Sequence, residues 1–144
     1  MHNFNYERLM LATQALAFAQ VCLDEAIAYG RERHTFGKPL VENQVIRHKL
    51  VDMATQIDIA REYTYRCAAL MQAGKNPIKQ VAMAKNFSVD VCEKVTREAV
   101  QLFGGMGYMR ESVVERLYRD AKILSIGGGT TEIMKELIAK QIRL

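Results

Sequence analysis

Tryptophan is absent from this sequence, proline occurs twice and cysteine three times. With so little proline and only nine glycines in 144 residues, the chain is neither collagen-like nor of low complexity. The three cysteines lie far apart, each inside an apolar helical pattern and without a C-x-x-C pair: Cys22, Cys67 and Cys92. This spacing supports neither a disulfide framework nor a zinc site, so we expect no metal and reduced, buried thiols in an intracellular compartment.

Long hydrophobic runs are also scarce. No apolar run approaches the ~20 residues of a membrane span, so we expect no such span. Residues 1–6 are polar and aromatic, whereas a secretory signal is charged and then apolar. We therefore expect any targeting segment to lie outside this chain.

Charge is of mixed sign. Twenty Lys and Arg against sixteen Asp and Glu give a net charge of +4, which suits an anionic ligand as well as solubility. Basic residues are scattered among acids, as in Lys135-Glu136, and no nucleic-acid motif is present. A bundle that binds nucleic acid, with steeply salt-dependent affinity, stays open as a disfavoured alternative.

Apolar residues recur at alternating spacings of three and four, the pattern of amphipathic helices. The pattern predicts helices over about residues 6–33, 46–71, 78–103, 114–123 and 131–143, and nothing indicates a strand. The first helix is apolar on two faces and should have partners on both sides. Three helices of about 25 residues with short connections pack most simply side by side. We predict a single all-α domain over residues 1–144, an antiparallel up-down four-helix bundle.

Two polar segments contain residues whose side chains could act in catalysis or ligand binding. At the head of the first helix, Asn5 resembles an N-cap and Glu7 falls in the first turn. Acids are common there for dipole reasons alone, so the residues by themselves do not favour a catalytic Glu7. The segment 33–39 offers a guanidinium, a hydroxyl and an aromatic ring, which suit a phosphate and a flat ring. A helix connection that binds no ligand could have the same sequence.

Two glycine segments are further candidates. The run at 101–108 closes a helix, so a C-cap and a tight turn explain it better than a dinucleotide-binding fingerprint does. The run Gly127 to Gly129 precedes a helix. The N-terminal backbone amides of such a helix point toward any ligand that the loop surrounds. Three consecutive glycines cost backbone entropy and a turn seldom needs so many, so here we favour close approach to a ligand.

The order of six segments resembles the C-terminal helical domain of the acyl-CoA dehydrogenases. The segments are NYERLMLA, RERHTFGKPLVENQ, MAK, AVQLFGGMGYMRE, VERLYRDAKI and IGGGTTEIMKELIAK. The resemblance runs from about residue 4 to 144 but covers only the last third or so of a usual family member. We therefore expect this chain to be the C-terminal domain of a longer enzyme.

The resemblance implies an FAD-dependent oxidoreductase that forms trans-2-enoyl-CoA from acyl-CoA and passes electrons to an electron-transferring flavoprotein. It also implies a homo-oligomer, a tetramer built as a dimer of dimers, in the bacterial cytoplasm or the mitochondrial matrix. The alternative is a catalytically silent helical-bundle oligomerisation module, inactive as an isolated chain. Flavin bound to the purified protein would exclude the nucleic-acid alternative.

The resemblance also assigns cofactor-binding residues, position by position. Arg33, Thr35 and Phe36 would meet the pyrophosphate and adenine side of FAD. Four residues would meet the adenosine of the partner subunit's FAD: Gln44, Gln101, Gly104 and Gly105. Thr130 and Glu132 would face the flavin from the last loop.

The catalytic base has two locations in this family. Most members place a glutamate directly before the Gly-Thr of the last loop, where this sequence has Gly128. The long-chain and isovaleryl branches place it in an E-R pair at the head of the first helix, which corresponds here to Glu7-Arg8. The resemblance thus implies Glu7 as the general base, with Asn5 and Arg8 binding the substrate. Glycine at 127 and 128 would leave space near the flavin, so we expect a branched, bulky or long acyl group.

Overall fold

A computed structural model describes residues 2–144, with side chains from Phe4 onward. Within this range it contains six α-helices: α1 (His2–Glu32), α2 (Gln44–Gln72), α3 (Ile78–Phe103), α4 (Gly105–Tyr108), α5 (Val113–Ala121) and α6 (Thr131–Ile142). Two short antiparallel strands, β1 (His34–Thr35) and β2 (Lys38–Pro39), join α1 to α2. Single 3₁₀ turns follow β2 and α5, at Leu40–Glu42 and Lys122–Ser125. The predicted all-α class is confirmed.

The long helices α1, α2 and α3 run up, down and up. α3 packs against α1, α2, α5 and α6, and so lies at the centre of the bundle. The predicted four-helix bundle is confirmed, and the two shorter helices predicted over 114–123 and 131–143 are present as α5 and α6, both packed against α3. The short helix α4 lies in a segment that was expected to be a loop, because four residues are too few to show a helical period.

The core consists of the predicted helical stripes. On α2, the buried residues follow the alternation of three and four: Leu50, Met53, Ile57, Ala60, Thr64 and Cys67. α2 gives way to a turn at Gly74, whose φ of +75° favours glycine. All three cysteines are buried and free, as expected. Burial raises the pKa of the Cys22 and Cys92 thiols to about 12.

In the part of the chain that the structure describes, one helix is long and apolar enough to cross a membrane by length and composition. It is α1, in which an 18-residue window of Phe4–Glu32 has a mean hydropathy of 1.2. The sequence inspection predicted no such run, because single polar residues interrupt it. The apolar stripe of α1, which includes Ala12, Leu16 and Ala19, is buried in the bundle. The core helix of a helical bundle meets the same length and composition criteria.

The β1–β2 hairpin contradicts the expectation that nothing would form a strand. His34 pairs with Pro39 and Thr35 with Lys38, around a two-residue turn. Both turn residues have positive φ, 52° at Phe36 and 81° at Gly37, as the tight primed hairpin turns require. Strands of two residues are too short for an alternating pattern to show in the sequence.

Candidate functional site

The head of α1 differs from its prediction. Because α1 begins at His2, Asn5 is not an N-cap and Glu7 lies beyond the first turn. No proline or glycine precedes Asn5 to stop the helix from extending that far. Asn5 is only 3% exposed, and its Nδ2 donates to Oδ1 of Asn76 at 2.7 Å. This hydrogen bond ties α1 to the turn before α3.

Arg8 joins the head of α1 to the last loop. Its Nε donates to the carbonyl oxygen of Gly128 at 3.1 Å, and its guanidinium carbon lies 5.6 Å from the ring centroid of Phe4. Glu7, the preceding residue, is exposed. The hydrogen bond therefore ties the residue that follows Glu7 to Gly128, the other position considered for a catalytic base.

Two of the three loop glycines are required by the chain itself. Gly128 and Gly129 have φ of +65° and +101°, which side chains rarely adopt. A Cβ at Gly128 would lie 2.7 Å from Cδ1 of Leu11, and one at Gly129 would lie 2.8 Å from Cε of Met134. The expected free space at Gly128 is thus filled by Leu11. Close packing on α1 and α6 accounts for these two glycines without a ligand.

Lys85 is a residue of this region to which the sequence analysis gave no role. It is fully buried, and its Nζ donates to the carbonyl oxygen of Gly129. Burial lowers the pKa of this lysine, and the nearby Arg8 guanidinium lowers it further. The helical spacing could have indicated that Lys85 is buried. Lys85 lies four residues after Val81 and four before Val89, and both valines are buried on α3.

The start of α6 follows the loop directly. Thr130 caps the helix, and its Oγ1 accepts a hydrogen bond from the Ile133 N–H at 3.3 Å. The pKa of the Glu132 carboxyl is lowered by its own backbone N–H and then by the Thr130 hydroxyl. Asn86 donates to the carbonyl of Thr131 at 3.1 Å, while its buried Oδ1 has no partner among the described residues.

A stacked pair of aromatic rings joins α1 to α3 at the opposite end of the bundle. The Tyr29 and Phe103 rings lie 4.2 Å apart at 16°, and Tyr29 Oη donates to the Phe103 carbonyl at 3.4 Å. The β1–β2 hairpin follows α1 and the turn at Gly104 follows α3. The stack therefore brings the hairpin and this turn to the same end.

The hairpin segment leaves its predicted ligand residues accessible. Arg33 and Gln44 are exposed, and Thr35 is half-buried. Phe36 is fully exposed and has the positive φ given above, an uncommon conformation for an aromatic residue. An exposed aromatic ring on a tight turn can reach a ligand or another chain.

The turn after α3 contains two glycines of different kinds. Gly104 has φ +60° and ψ −136° and ends the helix, so the C-cap interpretation is confirmed for it. Gly105 has an ordinary φ, and nothing lies within 4 Å of a Cβ built on it. No described residue requires glycine at 105, which leaves room for a group from outside the chain. Gln101, one turn earlier on α3, is exposed.

The predicted site residues thus form two groups. The first, at the head of α1, includes Glu7, Arg8 and Thr130; the second, at the other end, includes Arg33, Phe36 and Gly105. Glu7 and Arg33 are 26 positions apart, which corresponds to about 39 Å along a helix. Among the side chains of residues 4–144, no three of His, Cys, Asp or Glu are grouped to hold a metal ion.

Comparison with known proteins gives consistent similarities. The family profile described as "Acyl-CoA dehydrogenase, C-terminal domain" matches residues 1–143. The chain is 44% identical over 142 residues to an acyl-CoA dehydrogenase of Bacillus subtilis, covering 99% of this chain and 38% of that protein. It is 43% identical over 139 residues to the human mitochondrial short-chain specific acyl-CoA dehydrogenase, covering 96% of this chain and 34% of that protein.

A solved structure shares the fold. The crystal structure of a probable acyl-CoA dehydrogenase from Mycobacterium abscessus matches with a TM-score of 0.97 and 55% identity, covering 99% of this chain and 38% of that one. The chain therefore spans little more than a third of the length of these relatives.

Proposed function

The chain belongs to the acyl-CoA dehydrogenase family, whose C-terminal domain it matches, and we propose that it is this domain of a longer FAD-dependent enzyme. The proposed reaction removes an α-proton and a β-hydride from an acyl-CoA thioester and forms a trans-2-enoyl-CoA. The observation that carries the proposal is the match of the family's C-terminal domain to residues 1–143. The hydrogen bond from Arg8 to Gly128 adds support, because it ties the residue after Glu7 to the last loop.

Glu7 is the proposed general base. Gly128 has no side chain to act as one, and its positive φ and the nearby Leu11 disfavour a larger residue there. Glu7 directly precedes Arg8, which donates to the Gly128 carbonyl of the same loop. Glu7 is exposed in this chain, so the rest of the enzyme would complete the pocket around it. A Glu7 carboxylate oxygen would take the α-proton, which an ordered thioester carbonyl acidifies. Arg8 would shape the same pocket, whereas the amide of Asn5 is committed to Asn76.

The residues at both ends fit FAD. Arg33 offers a guanidinium for a phosphate, Thr35 a hydroxyl, and Phe36 an exposed aromatic face. The open space at Gly105 admits a group that this chain does not supply. When bound, FAD supplies the acceptor for the β-hydride. A glutaryl-CoA dehydrogenase from Mycobacterium smegmatis is described in complex with FADH2, which supports this cofactor.

We also propose that the chain works as at least a dimer. The two groups of residues lie at opposite ends of α1, about 39 Å apart along the helix, and the resemblance implies that the second group meets the FAD of the partner subunit. Each chain would then contribute Thr130 and Glu132 to one flavin. The opposite end, with Gln44, Gln101, Gly104 and Gly105, would hold the adenosine of the partner subunit's FAD. The tetramer expected from the family is a dimer of such dimers.

The partners follow from the same family. Acyl-CoA would be the substrate and an electron-transferring flavoprotein the electron acceptor. One relative, from Acetobacterium woodii, is named as a subunit of a caffeyl-CoA reductase–Etf complex. Because the relatives include a bacterial and a mitochondrial enzyme, we propose the bacterial cytoplasm or the mitochondrial matrix as the location.

The test is anaerobic mixing of the full-length protein with straight and branched acyl-CoAs while the visible flavin band is followed. Bleaching by at least one acyl-CoA is the expected result, and the acyl group that bleaches fastest identifies the substrate class. Bound flavin that no acyl-CoA bleaches would contradict the dehydrogenase. A folded oligomer that binds no flavin would instead support the silent oligomerisation module.

A further inference from the structure

Lys85 is a buried cation without an acidic partner. Its side chain is fully buried on α3, and among the described residues it forms no ion pair. The charged group that faces it is another cation, Arg8, from α1. Its hydrogen-bond acceptor is the Gly129 carbonyl of the last loop. Burying a cation in this way costs stability unless other contacts offset the cost.

The two cations hold successive peptide groups. Arg8 donates to the carbonyl of Gly128 and Lys85 to that of Gly129. Because a trans peptide is planar, with its C=O and N–H on opposite sides, the N–H groups of Gly129 and Thr130 are turned away from α1 and α3. Neither N–H makes a hydrogen bond to any part of the chain that the structure describes.

We propose that Lys85 is a positioning residue: its ammonium fixes the Gly129 peptide, and with it the orientation of Thr130 at the start of α6. Packing alone would not select a lysine here, since methionine has similar length and needs no acceptor. Glycines at 127, 128 and 129 allow the loop several backbone conformations. The charge of Lys85 instead stabilises one of them. The effect of Lys85 on turnover rests on the function proposed above, but its effect on the loop does not.

Amide hydrogen exchange in the full-length, FAD-bound protein tests the loop directly. Lys85→Met should speed exchange of the amides at 127–131 by at least about tenfold, with exchange in α2 unchanged and Tm equal or higher. Lys85→Arg keeps the cation and should stay within about threefold of wild type. Val95→Ala, also buried on α3, is the matched control: it should lower Tm without selective loop exchange.

If Lys85 only stabilised the fold, its replacement would lower Tm without a selective increase in loop exchange. If Lys85→Met and the smaller Lys85→Gln both fail to fold, or lose Tm without selective exchange at 127–131, the proposal is overturned. Protection of the loop equal to wild type in a folded Lys85→Met also overturns it.

Kinetics separate this proposal from the proposed function. In the FAD-bound enzyme, Lys85→Met should lower kcat by about 10- to 100-fold and change KM by less than about threefold, and Lys85→Arg should restore most of kcat. If wild type bleaches with acyl-CoA and Lys85→Met matches its kcat, the positioning role is wrong. If wild type oxidises no acyl-CoA while the Lys85→Met loop still exchanges faster, the proposed function fails and the positioning role stands.

Discussion

Arg8 Nε lies 3.1 Å from the carbonyl oxygen of Gly128, and this hydrogen bond spans 120 positions of the sequence. It joins the head of α1 to the loop before α6, the two elements in which the sequence resemblance implies a catalytic base. Glu7 is next to one partner of this bond, and Gly128 is the other.

Asn5→Ala should reduce stability rather than substrate affinity. The change leaves Asn76 without its 2.7 Å partner and removes a buried amide, which costs about 1–3 kcal/mol. Urea unfolding of the protein should show this loss, with KM for acyl-CoA within about twofold of wild type. A raised KM at unchanged stability would instead restore the substrate-binding role that the sequence predicted for Asn5.

Gly105→Ala should weaken FAD binding without affecting the fold. Its backbone has an ordinary φ and a Cβ there meets no described atom, so unfolding free energy should change by less than about 0.5 kcal/mol. FAD affinity should fall at least about tenfold, because a Cβ would fill the space assigned to the adenosine. Gly104→Ala is the contrasting variant, since its φ of +60° predicts lost stability. Unchanged FAD affinity in Gly105→Ala would exclude this turn from the cofactor site.

Gly128→Glu should not replace Glu7 as the base. In Glu7→Gln/Gly128→Glu, the new side chain would need φ +65° and would push against Leu11, 2.7 Å from the Cβ position. We expect about 1–3 kcal/mol lost and no recovery of flavin reduction. Adding Leu11→Ala relieves the contact and should return part of the stability. Wild-type reduction rates in the double variant would show that the loop has more room than its packing indicates.

The sequence predicted the helices better than the site because helices follow local period. The alternation of three and four predicted an amphipathic helix over 46–71, and the α2 residues that follow this alternation from Leu50 to Cys67 are buried. The bounds of α3 were predicted because Pro77 and Gly104 are local stop signals. These features depend on residues close together in the chain.

The errors arose where distant contacts decide the structure. Asn5 was taken as an N-cap because its type is typical of one, but its partner Asn76 lies 71 positions away. The packing of Gly128 and Gly129 against Leu11 and Met134 was missed because nothing local revealed these neighbours, while the approach of this loop to a ligand stays a prediction. Lys85 was left without a role because its acceptor lies on another segment, 44 positions further along the chain.

Stability should fall as pH rises above 9 because two thiols are protonated in the folded state. Burial raises the pKa of Cys22 and Cys92 from 9.0 to about 12. Each raised pKa contributes stability that is fully present below pH 9 and is lost between pH 9 and about 12. By pH 10 the loss should be roughly 2–3 kcal/mol for the two thiols together.

The check is urea unfolding at pH 8 and pH 10 for wild type and Cys22→Ala/Cys92→Ala. The double variant lacks both thiols, so the difference between its pH dependence and that of wild type isolates their contribution. Equal pH dependence in the two proteins would show that these thiols do not titrate with shifted pKa values.

Glu7→Gln in the full-length protein tests the central claim, that Glu7 is the base. The exchange keeps the shape of the side chain but removes the proton acceptor, so the rate of flavin bleaching by the best acyl-CoA should fall at least about 10³-fold. The flavin should remain bound. In the control variant Glu62→Gln, which changes an exposed residue of α2, the flavin should be reduced at the wild-type rate. Normal bleaching in Glu7→Gln would contradict the account and place the base elsewhere.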